Sequence, residues 1–206
     1  MRLALYLAFK RLFDVVLSFI AVVVLSPLLV VVALLIKFQS PGPVIHKRKC
    51  VKKDGYYYMY KFRSMVYDAE NLDKYLTRAQ QEEYHRNIKV IHDPRVTKLG
   101  RILRKTSIDE LPQLFNVLKG DMSLVGVRPL AEEEIYLYGD SLDEMLSVKP
   151  GITGYWQTHG RSNATYDSGK RQEYELYYVR NRSFLMDIKI LFRTAVILMR
   201  DGEGAI

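Results

Sequence analysis

Apolar residues are concentrated near the start of the chain. From Val15 to Ile36, a stretch of 22 residues is interrupted only by Ser18, Ser26 and Pro27. A helix of that length reaches about 33 Å at about 1.5 Å per residue, which is enough for a bilayer core of roughly 30 Å. The apolar stretch of a cleaved signal peptide, the alternative, is shorter, at about 7 to 15 residues. The pattern therefore predicts a membrane segment.

The path of this segment depends on its centre and its flanks. Pro27 lacks the N–H that would bond to the Val23 carbonyl, so a bend is expected there, and the Ser26 hydroxyl can bond back to the preceding turn. Basic residues on both flanks conflict with a simple crossing under the positive-inside tendency. Two arrangements stay open: a helix that breaks at Ser26-Pro27 and returns to the same face, or a spanning helix with a proline kink. The flanking basic residues are Lys10, Arg11, Lys37, Lys47, Arg48, Lys49, Lys52 and Lys53.

A compact domain is predicted after this segment. Asp54-Gly55 is typical of a hairpin turn that joins strands over Val44–Val51 and Tyr56–Met65. Residues 67–87 are polar and permit helix, with their charges on a solvated face. Residues 184–199 are strongly apolar, which favours either a helix lying on the membrane or a helix packed into the core. The prediction is an α+β, mainly helical chain.

Composition and charge narrow the function. With 206 residues and 49% hydrophobic content, the chain can bury one compact core, which excludes disorder as the dominant state. The net charge of +8 suggests an anionic partner: phosphate groups, an acidic membrane surface or nucleic acid. Cys50 is the single cysteine, so an internal disulfide is excluded, and no Cys/His cluster has zinc spacing. These features fit a reduced, cytoplasm-facing location.

Two adjacent carboxylates precede the best amphipathic helix of the chain. Leu111, Leu114, Phe115 and Leu118 follow helical spacing, and Lys119-Gly120 is typical of a helix end. The helix starts either at Ser107 with a capping box or at Asp109, which would put Pro112 in the tolerated first turn, and in both cases Asp109 and Glu110 are expected at its N-terminus. Acidic residues at a helix start are usually caps, favoured by about 0.3 to 1 kcal/mol.

The surroundings of the pair favour a chemical role. Basic residues before and after it suit phosphate oxygens and are expected to keep Asp109 ionised. An ionised carboxylate can attack phosphorus or hold Mg²⁺, and Glu110 can act as a base or a second ligand. The sequence thus predicts phosphoryl transfer beside a membrane. The basic residues are Arg95, Lys98, Arg101, Arg104, Lys105 and Arg128.

Two other classes of protein share some of these features. A basic, membrane-tethered module that binds nucleic acid or acidic lipid would explain the charge and the anchor, but it leaves the Asp109-Glu110 pair unexplained. A metal-dependent membrane phosphohydrolase would use the same carboxylates with water as the acceptor. The products separate the phosphohydrolase from a transferase.

Four strings of residues carry a family resemblance: Tyr60–Met65, Ser107–Ser123, Val125–Pro129 and Lys149–Gly154. Together with the Ser-Pro break, they make nearly the whole chain similar to the bacterial sugar transferases, the monotopic phosphoglycosyl transferases that initiate surface-glycan assembly. The resemblance implies transfer of a sugar 1-phosphate from a UDP-sugar to polyprenyl (undecaprenyl) phosphate, with release of UMP, as the first membrane step of capsule, exopolysaccharide or glycoprotein glycan assembly.

The resemblance also implies an architecture and a location. It favours a re-entrant helix over residues 1–40, broken at Ser26-Pro27, and a catalytic domain over 41–206 that contains the hairpin and interfacial amphipathic helices. The domain would lie on the cytoplasmic face of a bacterial plasma membrane. The implied partners are a UDP-sugar, polyprenyl phosphate and the phospholipid bilayer, and nucleic acid is not among them.

The family mechanism can be assigned to matching positions. Asp109 resembles the nucleophile that forms a covalent phosphosugar intermediate, and also the site of Mg²⁺ contact. Glu110 is interpreted as assisting proton removal from the polyprenyl phosphate or orienting it, and Arg128 resembles a phosphate-clamping arginine. Three further cations are either second phosphate contacts or surface cations near anionic lipid. They are Lys61, Arg63 and Arg104.

Two positions depart from the family pattern, and one aromatic loop is a candidate binding segment. Val127 replaces a proline that is typical of the family, and Glu175 stands where the family more often has Asp, so Glu175 is left out of the catalytic set. In the segment Gly154–Arg161, the ring of Trp156 and the guanidinium of Arg161 are candidates to hold the uracil and the UDP phosphates. The alternative is a core tryptophan beside a turn.

Overall fold

The computed structural model describes residues 2–87, 90, 92–160 and 169–201. The described part is mainly helical with two small sheets, which confirms the predicted fold class at that level. Two 3₁₀ segments, Ile108–Glu110 and Glu132–Ser141, complement the regular elements. These elements are α1 (Arg2–Gln39), β1 (Ile45–Lys52), β2 (Gly55–Phe62), α2 (Leu72–Tyr75), α3 (Arg78–Asn87), α4 (Lys98–Lys105), α5 (Gln113–Lys119), β3 (Ser123–Val125), α6 (Leu142–Leu146), β4 (Gly151–Thr153), α7 (Tyr155–His159), α8 (Lys170–Asn181) and α9 (Phe184–Asp201).

Helix α1 contains the apolar run and is long and apolar enough to cross a membrane. Pro27 lies inside it. The hydroxyl of Ser26 donates to the Val23 carbonyl at 2.7 Å, and that carbonyl is the one Pro27 leaves without its helical N–H partner. The predicted side-chain bond is therefore confirmed, but the predicted break is not seen, since α1 continues as one helix through Ser26-Pro27. The re-entrant path stays a prediction.

The first half of α1 is fixed to the rest of the chain by polar contacts. Lys10 Nζ lies 2.8 Å from the Asp187 carboxylate of α9. Arg11 donates to the carbonyls of Val117 and Leu118 at the end of α5, at 2.6 and 2.9 Å. Asp14 accepts bonds from the Ser123 hydroxyl and the Leu124 N–H, at 2.7 and 3.2 Å. Charged side chains just before the apolar run thus bind the domain.

The last part of α1 packs on the same body. Val32 and Ile36 are buried against Phe62 of β2 and Leu103 of α4. Between the two contact regions the helix presents apolar side chains outward, and their exposed fractions lie between 45% and 68%. An apolar helix is therefore held at both ends by one domain, with its middle uncovered. The exposed residues include Val16, Phe19, Ile20, Val23, Val24, Val30, Val31, Leu34 and Leu35.

The predicted hairpin is confirmed. Strands β1 and β2 pair antiparallel from Ile45↔Phe62 to Lys52↔Gly55, so the two turn residues are Lys53 and Asp54, one position before the predicted Asp54-Gly55. Because side chains alternate between the faces of a strand, His46, Arg48, Cys50 and Lys52 share one face with Tyr57, Met59 and Lys61. Part of this inner face packs on Val117 of α5 and on Met122, which follows α5.

The predicted start of the amphipathic helix is wrong. Asp109 and Glu110 lie on a separate 3₁₀ turn, and α5 begins only at Gln113. Pro112 stands at the N-cap position because it has no N–H to give to a continuing helix. The predicted end is confirmed, since Gly120 adopts a left-handed conformation (φ 92°) at the C-cap.

The buried face of α5 also differs from the predicted stripe. Leu114 and Val117 are buried, but Phe115 is 42% exposed, and the amides Gln113 and Asn116 are buried in its place. Asn116 bonds to the backbone of β2, accepting from the Tyr60 N–H at 2.9 Å and donating to the Tyr58 carbonyl at 2.7 Å. The Asn116 amide thus forms the backbone hydrogen bonds that another strand would form with β2. Apolar spacing alone cannot predict this role of a buried amide.

The second sheet joins two of the motif strings. Strands β3 and β4 are parallel, and Val127 forms a further parallel bridge with Pro150. The loop that carries Arg128 is thereby set against the string Lys149–Gly154.

Helix α9 confirms the packed alternative for residues 184–199, while its contact with a membrane stays a prediction. Asp187 and Ile190 are buried, so one face packs into the domain. Leu185, Ile188, Phe192 and Met199 recur on the opposite side with exposed fractions of 36% to 78%. The helix is thus packed on one side and apolar toward the outside on the other.

Candidate active site

Asp109 lies on a tight turn instead of at the start of a helix. Ser107 adopts the left-handed region (φ 56°), which is uncommon for a residue with a side chain, and makes no side-chain capping bond. The following 3₁₀ turn aims Asp109 inward, where it is 7% exposed. The capping-box reading of Ser107 is therefore wrong, and the turn places one carboxylate inside and the other at the surface.

Lys61 lies between the two carboxylates. Its Nζ is 2.5 Å from Glu110 Oε1, and both side chains are about one-third exposed. The charge of Lys61 also lowers the pKa of Asp109, so the cation acts on both members of the pair. The structure thus brings together three of the predicted site residues, Lys61, Asp109 and Glu110.

Arg104 approaches the same carboxylate from α4. Its Nε donates to the Ser64 hydroxyl at 2.9 Å, and its charge lowers the pKa of Asp109. Gly100 allows α4 to lie this close to the end of β2, because a methyl group there would come within 1.8 Å of the Ser64 carbonyl oxygen. Arg104 is therefore a fourth predicted residue at this site.

Burial dominates the electrostatics of Asp109. It raises the pKa of the carboxyl from an ordinary value of 3.8 to about 6, and the charge of Glu110 adds to the rise. Lys61 and Arg104 oppose the shift without cancelling it. Asp109 is still mostly ionised at neutral pH, as expected from the sequence, but it is a stronger base than an exposed carboxylate.

This shift predicts a pH-dependent cost in stability. A carboxyl whose pKa is raised on folding binds its proton more tightly in the folded state, so its ionised form destabilises the fold above pH 6 and ceases to do so below pH 4. In metal-free buffer, Asp109→Asn should therefore raise the free energy of unfolding by up to about 3 kcal/mol at pH 7.5. The gain should shrink as the pH falls to 4.

Chemical unfolding in detergent at several pH values measures this difference. Asp54→Asn is the matched control, since Asp54 is exposed in the hairpin turn and asparagine is well tolerated in turns. A gain at pH 7.5 that is equal for both variants would contradict the buried, destabilising carboxylate.

Arg128 lies farther along the inner face of the hairpin. Glu134 joins it to β1: Arg128 Nη2 is 3.6 Å from one Glu134 oxygen, and Arg48 Nη2 is 3.4 Å from the other. His46 is the cross-strand partner of Lys61, and Arg48 lies two residues after His46. The distance between these two positions along β1 is about 7 Å. The Arg128 guanidinium also lies 5.8 Å from the Trp156 ring. One cationic face thus connects Lys61 to Arg128 and Trp156.

Two predicted residues are not brought to this face. The guanidinium of Arg63 is buried and donates to the carbonyls of Ser40 and Pro41, at 2.9 and 2.6 Å, where it holds the end of α1. These contacts favour a structural role, and the phosphate contact assigned to Arg63 stays a prediction. Arg161 lies outside the residues that the structure describes.

The sequence model of the family described as bacterial sugar transferase matches residues 5–201, almost the whole chain. The chain belongs to the bacterial sugar transferase family. The resemblance of the four motif strings is therefore confirmed.

Curated relatives in the bacterial sugar transferase family include proteins named for a lipid-linked reaction. The undecaprenyl-phosphate galactose phosphotransferase of Salmonella typhimurium is 44% identical over 94% of this chain and 41% of its own length. The UDP-glucose:undecaprenyl-phosphate glucose-1-phosphate transferase of Escherichia coli is 42% identical over 90% and 39%. The exopolysaccharide production protein ExoY of Sinorhizobium fredii is 40% identical over 93% and 86%. This chain thus spans about two fifths of the first two relatives and most of the third.

The carboxylates of this candidate site are of the kind that binds Mg²⁺ together with the phosphates of a substrate. Among the residues that the structure describes, no group of three or more His, Cys, Asp or Glu side chains is placed to hold a metal. Mg²⁺, however, is commonly bound by one or two carboxylates together with substrate phosphates and water. The oxygens of Asp109 and Glu110 offer that set, with one Glu110 oxygen already bonded to Lys61.

Glu175, which is not among the predicted site residues, supports the loop that carries Arg128. Glu175 is fully buried in α8, and its two oxygens accept the Arg128 N–H at 3.3 and 3.2 Å. Burial raises the pKa of Glu175 to about 7, against the opposing charges of Arg171 and Arg128. The spacing of Arg171, Glu175, Tyr178 and Val179 marks one helix face, and it could have indicated that Glu175 points inward.

Proposed function

We propose that this chain transfers a sugar 1-phosphate from a UDP-sugar to undecaprenyl phosphate, giving undecaprenyl diphosphate sugar and UMP. The observation that carries the proposal is the buried Asp109 beside the Lys61–Glu110 pair, in a domain that holds both ends of an apolar helix. The names of the Salmonella and Escherichia relatives support the reaction class. The sugar is proposed to be a hexose such as the galactose or glucose of those names.

In the first half-reaction, a carboxylate oxygen of Asp109 attacks the β-phosphorus of the UDP-sugar. The bond between that phosphorus and the bridging oxygen breaks, and UMP leaves with the bridging oxygen and its electron pair. The sugar phosphate is then held on Asp109 as an acyl phosphate ester. Lys61 and Arg104 lie where their charges stabilise the anionic phosphoryl group in the transition state.

In the second half-reaction, an oxygen of undecaprenyl phosphate attacks the same phosphorus. The bond to Asp109 breaks, the carboxylate is regenerated, and the lipid diphosphate sugar is released. Glu110 is about one-third exposed and bonded to Lys61, so it can orient the acceptor phosphate or take its remaining proton. Mg²⁺, when bound by the carboxylates and the diphosphate, would neutralise phosphate charge.

The measurement that tests the mechanism is a reaction without acceptor. Purified protein with Mg²⁺ and a UDP-sugar labelled in the β-phosphate should release about one equivalent of UMP per active site and retain the label. Mass spectrometry of the digested protein should place a hexose phosphate on the peptide that contains Asp109. Direct transfer would instead give UMP only when both substrates are present, and a phosphohydrolase would release free sugar phosphate continuously.

We also propose that α1 enters the membrane and returns to the cytoplasmic face. One domain contacts Lys10, Arg11 and Asp14 at the start of the helix and Ile36 near its end, while the apolar middle is uncovered. A domain on one side of a bilayer can hold both ends only if both ends lie on that side. The outward apolar stripe of α9 would rest on the same membrane surface.

Cysteine labelling tests this topology. Phe9 and Phe38 flank the apolar run and are 58% and 83% exposed, so Phe9→Cys and Phe38→Cys should react with an impermeant maleimide from the same side of membrane vesicles. Val24→Cys, in the middle of the run, should stay unlabelled because lipid covers it. Labelling of the two ends from opposite sides would overturn the re-entrant arrangement.

A further inference from the structure

A cavity lies at the turn end of the hairpin. Its volume is about 400 Å³, and it is bounded by the hairpin turn, the residues after α5, the loop before Arg128 and the segment 145–150. Apolar side chains form part of its wall. They include Val51, Val127, Leu130, Met145, Val148 and Pro150.

The charged residues of the cavity are mainly basic. Lys52, Lys53, Lys149 and Arg128 line it, against the two acidic residues Asp54 and Asp121. Two of these cations already have acidic partners: Lys52 Nζ lies 3.3 Å from Asp121, and Arg128 Nη2 lies 3.6 Å from Glu134. A cavity with apolar walls and an excess of cations fits an anion that carries an apolar part. We call it the basic cavity.

The basic cavity is separate from the carboxylate site. Two cross-strand pairs of the hairpin mark the two places: Lys52↔Gly55 lies beside the cavity, and His46↔Lys61 lies beside Asp109. The pairs are six residues apart along β1, which corresponds to about 20 Å. A phosphate held by Lys53 and Lys149 at this end of the cavity is therefore not the phosphate that reacts at Asp109.

The basic cavity is close to the start of the membrane segment. A methyl group at Gly120, which lines the cavity, would lie 3.5 Å from Arg11 Nη2 and 3.7 Å from Lys149 Nζ, so both cationic groups meet at this glycine. Burial lowers the pKa of Lys149, and the charge of Arg11 adds to the effect, which an acidic neighbour, Asp121, opposes. The apolar run begins one turn of α1 after Arg11.

We propose that the basic cavity binds the headgroup phosphate of an anionic membrane phospholipid. The apolar run of α1 begins at the depth of the lipid phosphates. Arg11 lies one turn before the run, and its guanidinium lies beside the cavity. The ammonium groups of Lys53 and Lys149 contact the phosphate, and the glycerol part of the lipid lies against the apolar wall. This inference rests on the proposed entry of α1 into the membrane, and it does not depend on the proposed transfer reaction.

Titration with a short-chain lipid tests the proposal. The full chain in an uncharged detergent should bind dihexanoyl phosphatidylglycerol saturably in isothermal titration calorimetry. The double variant Lys53→Ala/Lys149→Ala should raise the dissociation constant at least about tenfold, because two charge-assisted contacts are lost. The double variant Lys47→Ala/Lys170→Ala removes the same charge from exposed positions outside the cavity and should bind as the parent does.

A charge-conserving variant distinguishes binding from folding. Lys149→Arg should bind the lipid within about threefold of the parent, since it keeps a cation at the cavity. Equal affinity of the parent and the Lys53→Ala/Lys149→Ala variant would overturn the proposal, as would equal affinity for zwitterionic dihexanoyl phosphatidylcholine. Displacement of the lipid by inorganic phosphate at equal concentration would identify free phosphate as the ligand, and displacement by UMP would assign the cavity to the nucleotide. Either result would also overturn it.

Discussion

Replacing Asp109 with asparagine should lower the rate of UMP release at least about 10³-fold and abolish the covalent adduct. Asparagine keeps the size of the side chain and removes the anionic oxygen that would attack phosphorus, and loss of a catalytic nucleophile commonly costs several orders of magnitude. The rate is measured as UMP formed from a UDP-sugar with undecaprenyl phosphate and Mg²⁺ at pH 7.5. Retention of the label on the protein is measured in parallel.

Two comparisons sharpen this experiment. Asp54→Asn removes a carboxylate from the exposed hairpin turn and should leave turnover within about twofold of the parent, because surface substitutions rarely perturb a distant site. The unfolding free energy of Asp109→Asn should not fall, so a loss of activity cannot be ascribed to misfolding. Turnover of Asp109→Asn at the parental rate would refute the proposed nucleophile.

The second large effect is expected where α1 joins the domain. Asp187 is 2% exposed and accepts bonds from Lys10 and Tyr6 of α1, at 2.8 and 2.9 Å, and from Tyr178 of α8 at 2.7 Å. Asp187→Asn would leave the Lys10 ammonium buried without its counter-charge, which typically costs about 3 to 5 kcal/mol. The variant should unfold at a correspondingly lower denaturant concentration in detergent.

An exposed ion pair provides the matched comparison. Glu144 accepts a two-bond contact from Arg180 at 2.8 Å on the surface, and Glu144→Gln should cost less than about 1 kcal/mol because water screens such pairs. A similar loss for Glu144→Gln and Asp187→Asn would show that burial of the Lys10–Asp187 pair contributes nothing.

Patterns of residues close together in the sequence predict the elements that depend on interactions between near neighbours. The length of the apolar run identified α1, Asp54-Gly55 located the hairpin, and Lys119-Gly120 located the end of α5. In each case the decisive interaction joins residues within a few positions of one another: a hydrophobic period, a turn conformation or a glycine cap. The Asp109-Glu110 pair was recognised for the same reason, since the two residues are adjacent.

The remaining features depend on contacts between distant parts of the chain. The 3₁₀ turn that carries Asp109 packs against β2, which lies far from it in sequence, and against α4 on its other side. Arg63 binds carbonyls near the end of α1, and Glu175 supports the backbone of Arg128 across 47 positions. A pattern of residue types shows that such side chains are polar or charged, but it does not show which backbone groups they reach.

The polar contacts at the start of α1 have a practical consequence for engineering. Tyr6, Lys10, Arg11 and Asp14 form bonds to side chains or backbone of α5, α9 and the start of β3. Residues 1–40 are therefore part of the packed fold and not a separable membrane anchor. A chimera that substitutes a foreign hydrophobic helix would have to reproduce those four side chains in register, and a truncated form beginning at residue 41 would lose the counterpart of Asp187 and the apolar lining over Phe62 at once.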